Sequence, residues 1–111
     1  MQFAACVWRL LHQIPRGRVV TYGDLARALG KPHAARAVAQ ACARNPHPIA
    51  TPCHRVVMGD GSVGGYSGPG GVPQKIALLR SEGVQIDRGE IVHWASAPYR
   101  YPLSLPQSHC S

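Results

Sequence analysis

The segment Pro52-Cys53-His54-Arg55 places a thiol directly before an imidazole and a guanidinium. A cysteine attacks as its thiolate, and an unperturbed thiol, with a pKa of about 8.5, is mostly protonated at neutral pH. An adjacent base or cation supplies the activation that such a nucleophile needs, and the preceding proline restricts the local backbone. Neighbouring side chains often diverge, so the dipeptide alone is weak evidence. Cys53 is a candidate nucleophile, and a structural cysteine is the alternative.

The motif lies in a segment, residues 45–71, that lacks a helical period and is dense in Pro and Gly. A loop of this length inside a compact domain is usually either disordered or functional. A disordered linker would be polar, yet residues 48–57 form a largely apolar run that has to be buried. We therefore expect an ordered active loop that holds Cys53.

Four helices are expected around this loop from the spacing of apolar residues. The first ends before Pro15, and its apolar face comprises Phe3, Val7, Leu10, Leu11 and Ile14. In the second, the hydroxyl of Thr21 can cap the helix by accepting the amide of Asp24, and Gly30 ends it. The third covers about residues 33–44, and the last begins near Pro73 and runs to Glu82.

The second and third helices are short and joined by a tight turn, and the third carries a polar and basic stripe at Arg36, Gln40 and Arg44. This arrangement is typical of a helix-turn-helix, although many helical hairpins share it. Residues 84–94 predict a small hairpin that could form a wing. We expect a mainly α, winged helix-turn-helix-like domain over residues 1–96 with a small C-terminal β-hairpin, followed by a C-terminal tail, residues 97–111.

Charge favours a polyanionic partner. Twelve Lys and Arg residues against five Asp and Glu give a formal net charge of +7, and ten of the twelve cations are Arg. Nucleic acid is the first candidate and a membrane surface the second, while a bias in genomic composition is the alternative explanation. Apolar stretches are shorter than the roughly 18 to 20 residues of a bilayer span, and the N-terminus lacks signal-peptide features. We expect a cytoplasmic (nucleoid-associated) or nuclear protein that does not enter the membrane.

The spacing of the four cysteines argues against a metal site. Cys6, Cys42, Cys53 and Cys110 include no C-x-x-C pair, so no structural zinc is expected. Without a secretory signal, reduced thiols are expected, with Cys6 and Cys42 on apolar helix faces in the core.

Six segments match a known family in order and spacing. They are Ile14-Pro15-Arg16-Gly17-Arg18-Val19-Val20-Thr21-Tyr22-Gly23-Asp24-Leu25-Ala26, Ala34-Ala35-Arg36-Ala37-Val38, Asn45-Pro46, Pro52-Cys53-His54-Arg55-Val56, Gly64-Gly65-Tyr66-Ser67-Gly68 and Leu78-Leu79-Arg80-Ser81-Glu82-Gly83. Over about residues 2–86 the chain resembles the C-terminal domain of O6-alkylguanine-DNA alkyltransferases, whose signature is the Pro-Cys-His-Arg-Val segment. The resemblance implies a monomeric, cofactor-free repair protein. It would flip O6-alkylguanine out of double-stranded DNA and transfer the alkyl group irreversibly to Cys53.

The resemblance also implies roles for individual residues. Cys53 would accept the alkyl group, His54 would take the thiol proton through a water, and Glu82 would orient the imidazole. Asn45 would tie the two-helix element to the active loop, and Tyr22 would offer its hydroxyl to the flipped base. The remaining implied DNA contacts are Arg36, which would replace the extruded nucleotide, and Ala35, Ala37, Gln40 and Arg44. The implied substrate pocket comprises Tyr66, Ser67, Val56 and Pro48.

Two alternatives stay open beside this interpretation. Short relatives, the alkyltransferase-like proteins, bind O6-alkylguanine without repairing it and carry tryptophan at the acceptor position, where this chain keeps Cys53. A non-catalytic lesion sensor is therefore one alternative, and a small winged-helix DNA-binding regulator with a structural Cys53 is the other. The chain also departs from the family pattern at Ala39 and Gln40, where glycine is usual, and in a longer loop after Tyr66.

Overall fold

The computed structural model describes residues 2–47, 49–66, 68–92, 94, 101 and 103. Within these residues the chain forms four α-helices, a single-turn 3-10 helix and four two-residue strands. In chain order the elements are α1 (Gln2–Leu11), β1 (Val20–Thr21), α2 (Tyr22–Ala28), α3 (Ala35–Ala43), the 3-10 helix (Cys53–Arg55), β2 (Val56–Val57), α4 (Gly71–Ser81), β3 (Ile86–Asp87) and β4 (Glu90–Ile91). The expected mainly α class is confirmed.

Helix α1 is held by its apolar face, as its periodicity predicts. Val7, Leu10 and Leu11 are fully buried, and the helix packs against α3. The indole of Trp8 adds a direct link by donating a 2.8 Å hydrogen bond to the carbonyl of Ala41 in α3. Beyond Leu11 the chain continues as a turn that buries Ile14 before Pro15.

The helix-turn-helix forms from the capping signals in the sequence. The Thr21 hydroxyl accepts the Asp24 amide at 2.9 Å, and the Asp24 carboxylate accepts the Thr21 amide at 3.0 Å, so that both ends of a capping box are present. Gly30, with φ of 74°, ends the α2 segment in a left-handed turn that leads toward α3.

A short parallel strand pair joins the helix-turn-helix to the active loop. Val20 pairs with Val56 and Thr21 with Val57, so part of the expected loop is a strand. Two-residue strands give no readable alternation, and their pairing depends on contacts far apart in sequence. The register places the start of α2 and the 3-10 helix at the same two-stranded sheet.

Helix α4 and the C-terminal hairpin build a second apolar cluster around Leu79, Val84 and Ile86. The helix begins at Gly71, slightly before the expected Pro73. The hairpin is present but limited to the pairs Ile86 with Ile91 and Asp87 with Glu90.

Gly17 lies where the turn after α1 meets the end of α4. Its φ is +85°, and a Cβ at this position would lie 2.9 Å from the backbone oxygen of Glu82. Arg16 fixes the same junction by donating to the carbonyl of Ser81 at 3.1 Å. The backbone at residue 17 can therefore approach the backbone of Glu82 this closely only because residue 17 is glycine.

One expectation about the cysteines is wrong. Cys6 is buried as expected, but it is disulfide-bonded rather than reduced. Cys42 and Cys53 are buried free thiols. Pro48, Ser67, Cys110 and nearly all of the tail lie outside the described residues.

None of the described helices combines the length and apolar character that crossing a bilayer would require. The described residues also contain no group of three or more His, Cys, Asp or Glu side chains that could hold a metal ion.

Candidate active site

The backbone before Cys53 forms a tight turn that fixes the position of the thiol. Pro52 has φ of −80° and ψ of 65°, the geometry of an inverse γ-turn, and the Cys53 amide donates to the Thr51 carbonyl at 2.8 Å. Proline is suited to the centre of this turn because its ring fixes φ near this value. Cys53 then begins the 3-10 helix with 5% of its surface exposed.

His54 and Glu82 form a buried hydrogen-bonded pair next to the thiol in sequence. His54 Nε2 lies 3.0 Å from Glu82 Oε2, and the imidazole is fully buried. A carboxylate only accepts hydrogen bonds, so the proton of the neutral imidazole lies on Nε2. His54 Nδ1 is buried and has no hydrogen-bond partner among the described residues. The pair therefore leaves Nδ1 with a free lone pair that can accept a proton.

Burial sets the charge states of this pair. It lowers the pKa of His54, and the hydrogen bond that the imidazole donates to Glu82 opposes that shift only in part. For Glu82, burial alone would raise the pKa, but hydrogen bonds from Arg55 and His54 outweigh it and hold the pKa below its usual value. At neutral pH the site thus contains a neutral imidazole and an ionised carboxylate.

Arg55 contacts Glu82 as well. Its Nε donates to Glu82 Oε1 at 2.9 Å and its Nη2 to Oε2 at 2.8 Å, a bidentate pair. The third nitrogen, Nη1, donates to the carbonyl of Ile14 at 2.8 Å. Sequence reasoning placed Arg55 beside the thiol as a cation, whereas the structure directs it to the carboxylate.

Asn45 connects the end of α3 to the active loop. Its side-chain amide donates to the Thr51 carbonyl at 2.6 Å, and its Oδ1 accepts the His47 amide at 2.9 Å. The same Thr51 carbonyl accepts the Cys53 amide. A single backbone oxygen therefore links Asn45 to the turn that presents the thiol.

A pocket with a volume of about 610 Å³ opens beside Cys53. Its lining is mainly small and apolar, and it combines five residues expected from sequence with five that were not. The expected ones are Tyr22, Ala35, Arg36, Cys53 and Tyr66, and the others are Ala39, Cys42, Ala43, Met58 and Gly65. Arg36 is exposed at this pocket, so its guanidinium faces both solvent and the cavity.

Other expected site residues lie elsewhere. Val56, assigned to the pocket, is fully buried in β2 and does not line the cavity, because its side chain packs in the core. Ala37, Gln40 and Arg44 are exposed on α3 or at its C-terminus and lie outside the pocket lining. Pro48 and Ser67 are not among the described residues.

Comparison with known proteins identifies the family to which the chain belongs. The family described as 6-O-methylguanine DNA methyltransferase, DNA binding domain, matches residues 2–84. The chain belongs to this family.

Three relatives show the extent of the similarity. The bifunctional transcriptional activator/DNA repair enzyme Ada of Escherichia coli is 51% identical over 86 residues, covering 78% of this chain and 24% of that protein. The Mycobacterium tuberculosis OGT structure in complex with DNA is 44% identical with a TM-score of 0.70, covering 74% of this chain and 50% of that one. A structure from S. pombe, in complex with damaged DNA containing O6-carboxymethylguanine, is 33% identical with a TM-score of 0.74. The match covers 89% of this chain and 94% of that one. This chain thus spans about a quarter of the length of the E. coli relative.

The two tyrosines of this methyltransferase-family pocket keep their protons. Burial raises the pKa of Tyr22, with smaller contributions from Cys42 and Cys53, and burial also raises the pKa of Tyr66. The Tyr66 hydroxyl is buried without a partner among the described residues. A Cβ on Gly68 would overlap the Tyr66 ring, so glycine allows the ring to occupy this position. Both phenols are therefore available as hydrogen-bond donors.

Sequence reasoning assigned Ala35 and Arg36 of α3 to DNA contacts but did not predict that this helix forms a wall of the pocket. Ala35, Ala39 and Ala43 recur every four residues and share a helix face, a signal that was readable. Cys42 was assigned to the core, and it also lines the cavity, where burial raises its pKa to about 12. Lys75 in α4 was assigned no role, yet it is fully buried.

Proposed function

We propose that this chain repairs O6-alkylguanine in double-stranded DNA by transferring the alkyl group irreversibly to Cys53. The observation that carries the proposal is the arrangement of Cys53, His54 and Glu82 beside the pocket. The thiol of Cys53 lines the cavity, Nδ1 of the following residue, His54, has no hydrogen-bond partner among the described residues, and the carboxylate fixes the Nε2–H tautomer. This is the relation of nucleophile, base and orienting acid found in activated-nucleophile sites.

The transfer is a displacement at the alkyl carbon. The Cys53 proton passes to His54 Nδ1 through a water, and the sulfur then forms a bond to the alkyl carbon as the bond from that carbon to O6 breaks. The electron pair of the broken bond stays on guanine. Tyr22, which keeps its proton because burial raises its pKa, donates to the guanine anion. The product thioether is stable, so each molecule reacts once.

Access to O6 in a duplex requires the nucleotide to leave the base stack. Helix α3 carries the groups suited to this step, because Arg36 is exposed and borders the pocket that would receive the base. Small side chains on the same helix, Ala35, Ala37 and Ala39, allow a close approach to the minor groove. Gln40 and Arg44 are exposed and available for contacts with the DNA backbone. We propose that the protein binds DNA as a monomer, in the compartment that contains the chromosome, cytoplasmic or nuclear.

Intact-mass measurement with an O6-methylguanine oligonucleotide tests the transfer. One equivalent of substrate should add the mass of one CH2 group, located on the peptide that contains Cys53. Cys53→Ala should bind the same oligonucleotide and gain no mass. Multiple turnovers, or a methyl group on Cys42, would contradict the proposal. Binding without any mass gain by the parent chain would instead support the lesion-sensor alternative.

A further inference from the structure

Thr51 lies two residues before Cys53 and is buried, with 7% of its surface exposed. Its backbone carbonyl accepts two hydrogen bonds, from the side chain of Asn45 at 2.6 Å and from the amide of Cys53 at 2.8 Å. Its own amide donates to the carbonyl of His47 at 2.8 Å. The placement of Thr51 therefore sets the turn that presents the thiol.

The side chain of Thr51 makes a separate contact with a distant part of the chain. Its Oγ1 lies 3.2 Å from Nε2 of His12, 39 residues earlier in the sequence. A hydroxyl can both donate and accept, so the bond forms with the ring proton of neutral His12 on either nitrogen. A buried hydroxyl is stable only with a hydrogen-bond partner, and His12 supplies it. The bond therefore fixes Thr51 relative to the residue that directly follows α1.

His12 begins a short segment, residues 12–17, that also contacts the other side of the site. The carbonyl of Ile14 accepts a hydrogen bond from Arg55 at 2.8 Å, and Arg55 in turn binds both oxygens of Glu82. Glu82 is the carboxylate that orients the imidazole of the proposed base. One segment thus contacts both the turn that presents the nucleophile and the arginine that holds this carboxylate.

The relative position of these groups matters for the proposed transfer. Displacement at a carbon requires the attacking sulfur to lie in line with the leaving group. A misplacement of about 1 Å, caused by a change away from the reacting atoms, can slow an enzymatic reaction by about a hundredfold. A contact that fixes the turn before the thiol therefore bears directly on the rate.

We propose that Thr51 and His12 are positioning residues for alkyl transfer, whose side-chain hydrogen bond holds the Cys53 thiol in place relative to His54. The proposal rests on the proposed function of Cys53 as the acceptor. Neither Thr51 nor His12 lines the pocket, so the pair acts through the backbone of the turn and not by binding the substrate. It adds a second anchor to the one that Asn45 provides at the Thr51 carbonyl.

A double-mutant cycle tests the pair, with free O6-benzylguanine as the substrate so that DNA binding does not enter. Rates at several concentrations separate the saturated rate from the half-saturating concentration. Thr51→Val removes the hydroxyl and keeps the shape, Thr51→Ser keeps the hydroxyl, and His12→Phe removes both ring nitrogens. His33→Phe is the matched control, because His33 is also exposed in a turn and lies outside the pocket lining.

We expect Thr51→Val and His12→Phe each to lower the saturated rate by about three- to tenfold, the effect of one lost hydrogen bond, with the half-saturating concentration unchanged. The double variant should be no slower than the slower single variant, since both changes remove the same bond. Thr51→Ser and His33→Phe should match the parent. Additive losses, single variants as fast as the parent, or a loss confined to the half-saturating concentration would overturn the proposal.

A second measurement does not depend on the reaction. Hydrogen exchange of the Cys53 amide, which donates to the Thr51 carbonyl, reports on the turn itself. It should be faster in Thr51→Val and in His12→Phe, while exchange of the buried Leu10 amide in α1 stays unchanged. Because His12 is exposed, His12→Phe tests the pair even where Thr51→Val does not fold.

The two measurements separate failure of this proposal from failure of the proposed function. Identical Cys53 exchange in the parent and in both variants would overturn the positioning role. A parent that takes no benzyl group from the free base, with Cys53 exchange still faster in the variants, would contradict the proposed function instead.

Discussion

A 3.0 Å hydrogen bond joins His54 Nε2 to Glu82 Oε2 across 28 residues of sequence. The bond depends on two separate close approaches. Arg55 holds the carboxylate in a bidentate pair, and Gly17 lets the preceding turn lie against the backbone of Glu82. The imidazole of His54, the general base of the proposed reaction, is therefore oriented by residues that do not line the pocket.

Replacing Glu82 with Gln should slow transfer from a free-base substrate. The amide removes the charge that favours the protonated imidazole, so the pKa of His54 falls further and proton transfer from Cys53 becomes less favourable. We expect the rate near neutral pH to fall by roughly ten- to a thousandfold, the range that general-base assistance supplies. Stopped-flow or quenched reaction with O6-benzylguanine measures it.

The control for Glu82→Gln is its affinity for lesion-containing DNA, which should be retained because Glu82 is neither a proposed DNA contact nor part of the pocket lining. The rate deficit should also shrink as pH rises toward the range where a thiol ionises without help. A variant as fast as the parent at neutral pH would show that Glu82 only anchors Arg55.

Replacing Arg36 with Ala should slow repair of duplex DNA much more than reaction with the free base. Arg36 is exposed beside the pocket, and its proposed role is to fill the gap that the flipped nucleotide leaves in the base stack. Arg44→Ala is a matched control, since Arg44 is exposed at the end of the same helix and outside the pocket lining. It should weaken duplex binding in a salt-dependent manner and leave the rate at saturation unchanged. Equal losses on duplex and free base in Arg36→Ala would contradict the stacking role.

The free energy of unfolding should fall in two stages as the solution is acidified. Burial lowers the pKa of His54 below its reference of 6.5, so the unfolded chain takes up this proton first and stability is lost as pH falls below 6.5. The pKa of Glu82 lies below its reference of 4.5, and its contribution is lost as pH falls below that value. Urea denaturation across this range measures both stages.

The variants that remove each group separate these stages. His54→Gln should lack the first stage and keep the second, and Glu82→Gln should lack the second. A parent whose stability is constant from pH 6.5 to 4.5 would contradict the assignment of a neutral, buried His54.

Gly17→Ala should destabilise the fold and also slow transfer. The substitution adds a Cβ at positive φ, which costs about 1 kcal/mol, and places it 2.9 Å from the Glu82 carbonyl, so that the end of α4 must shift. Gly30→Ala is the matched control, because Gly30 also has positive φ but no atom within 4 Å of the added carbon. Thermal unfolding and the free-base rate should both show a larger effect for Gly17→Ala. Equal effects of the two substitutions would show that the contact with Glu82 is unimportant.

The sequence predicted the helices better than it predicted how they meet. Apolar periodicity and the Thr21 capping signal depend on neighbours within a few residues, and both are reproduced in the structure. The pairing of Val20 with Val56 depends on a contact across the whole helix-turn-helix, and two-residue strands leave no period to read.

Lys75 illustrates a different limit of prediction from sequence. In the sequence it is one charged residue in a helix, a position that is normally exposed, whereas in the structure it is fully buried and donates to the carbonyls of Val63 and Gly65. Val56, the last residue of the signature segment, is expected in the pocket, whereas in the structure it pairs in β2 and is buried in the core. Proximity in sequence predicted the chemistry of the motif but not which of its side chains face the cavity.

The parallel pairing of β1 with β2 also determines where this domain can change length. The thiol and the pocket tyrosine of α2 lie next to paired strands, so an insertion between either residue and its strand would shift one relative to the other. The stretch between β2 and α4 lies outside the ladder and contributes Met58, Gly65 and Tyr66 to the cavity. Insertions there can reshape one wall of the cavity without changing the distance between Cys53 and Tyr22. Under the proposed function, the range of alkyl groups that related proteins accept can therefore diverge without a change in the residues that carry out the transfer.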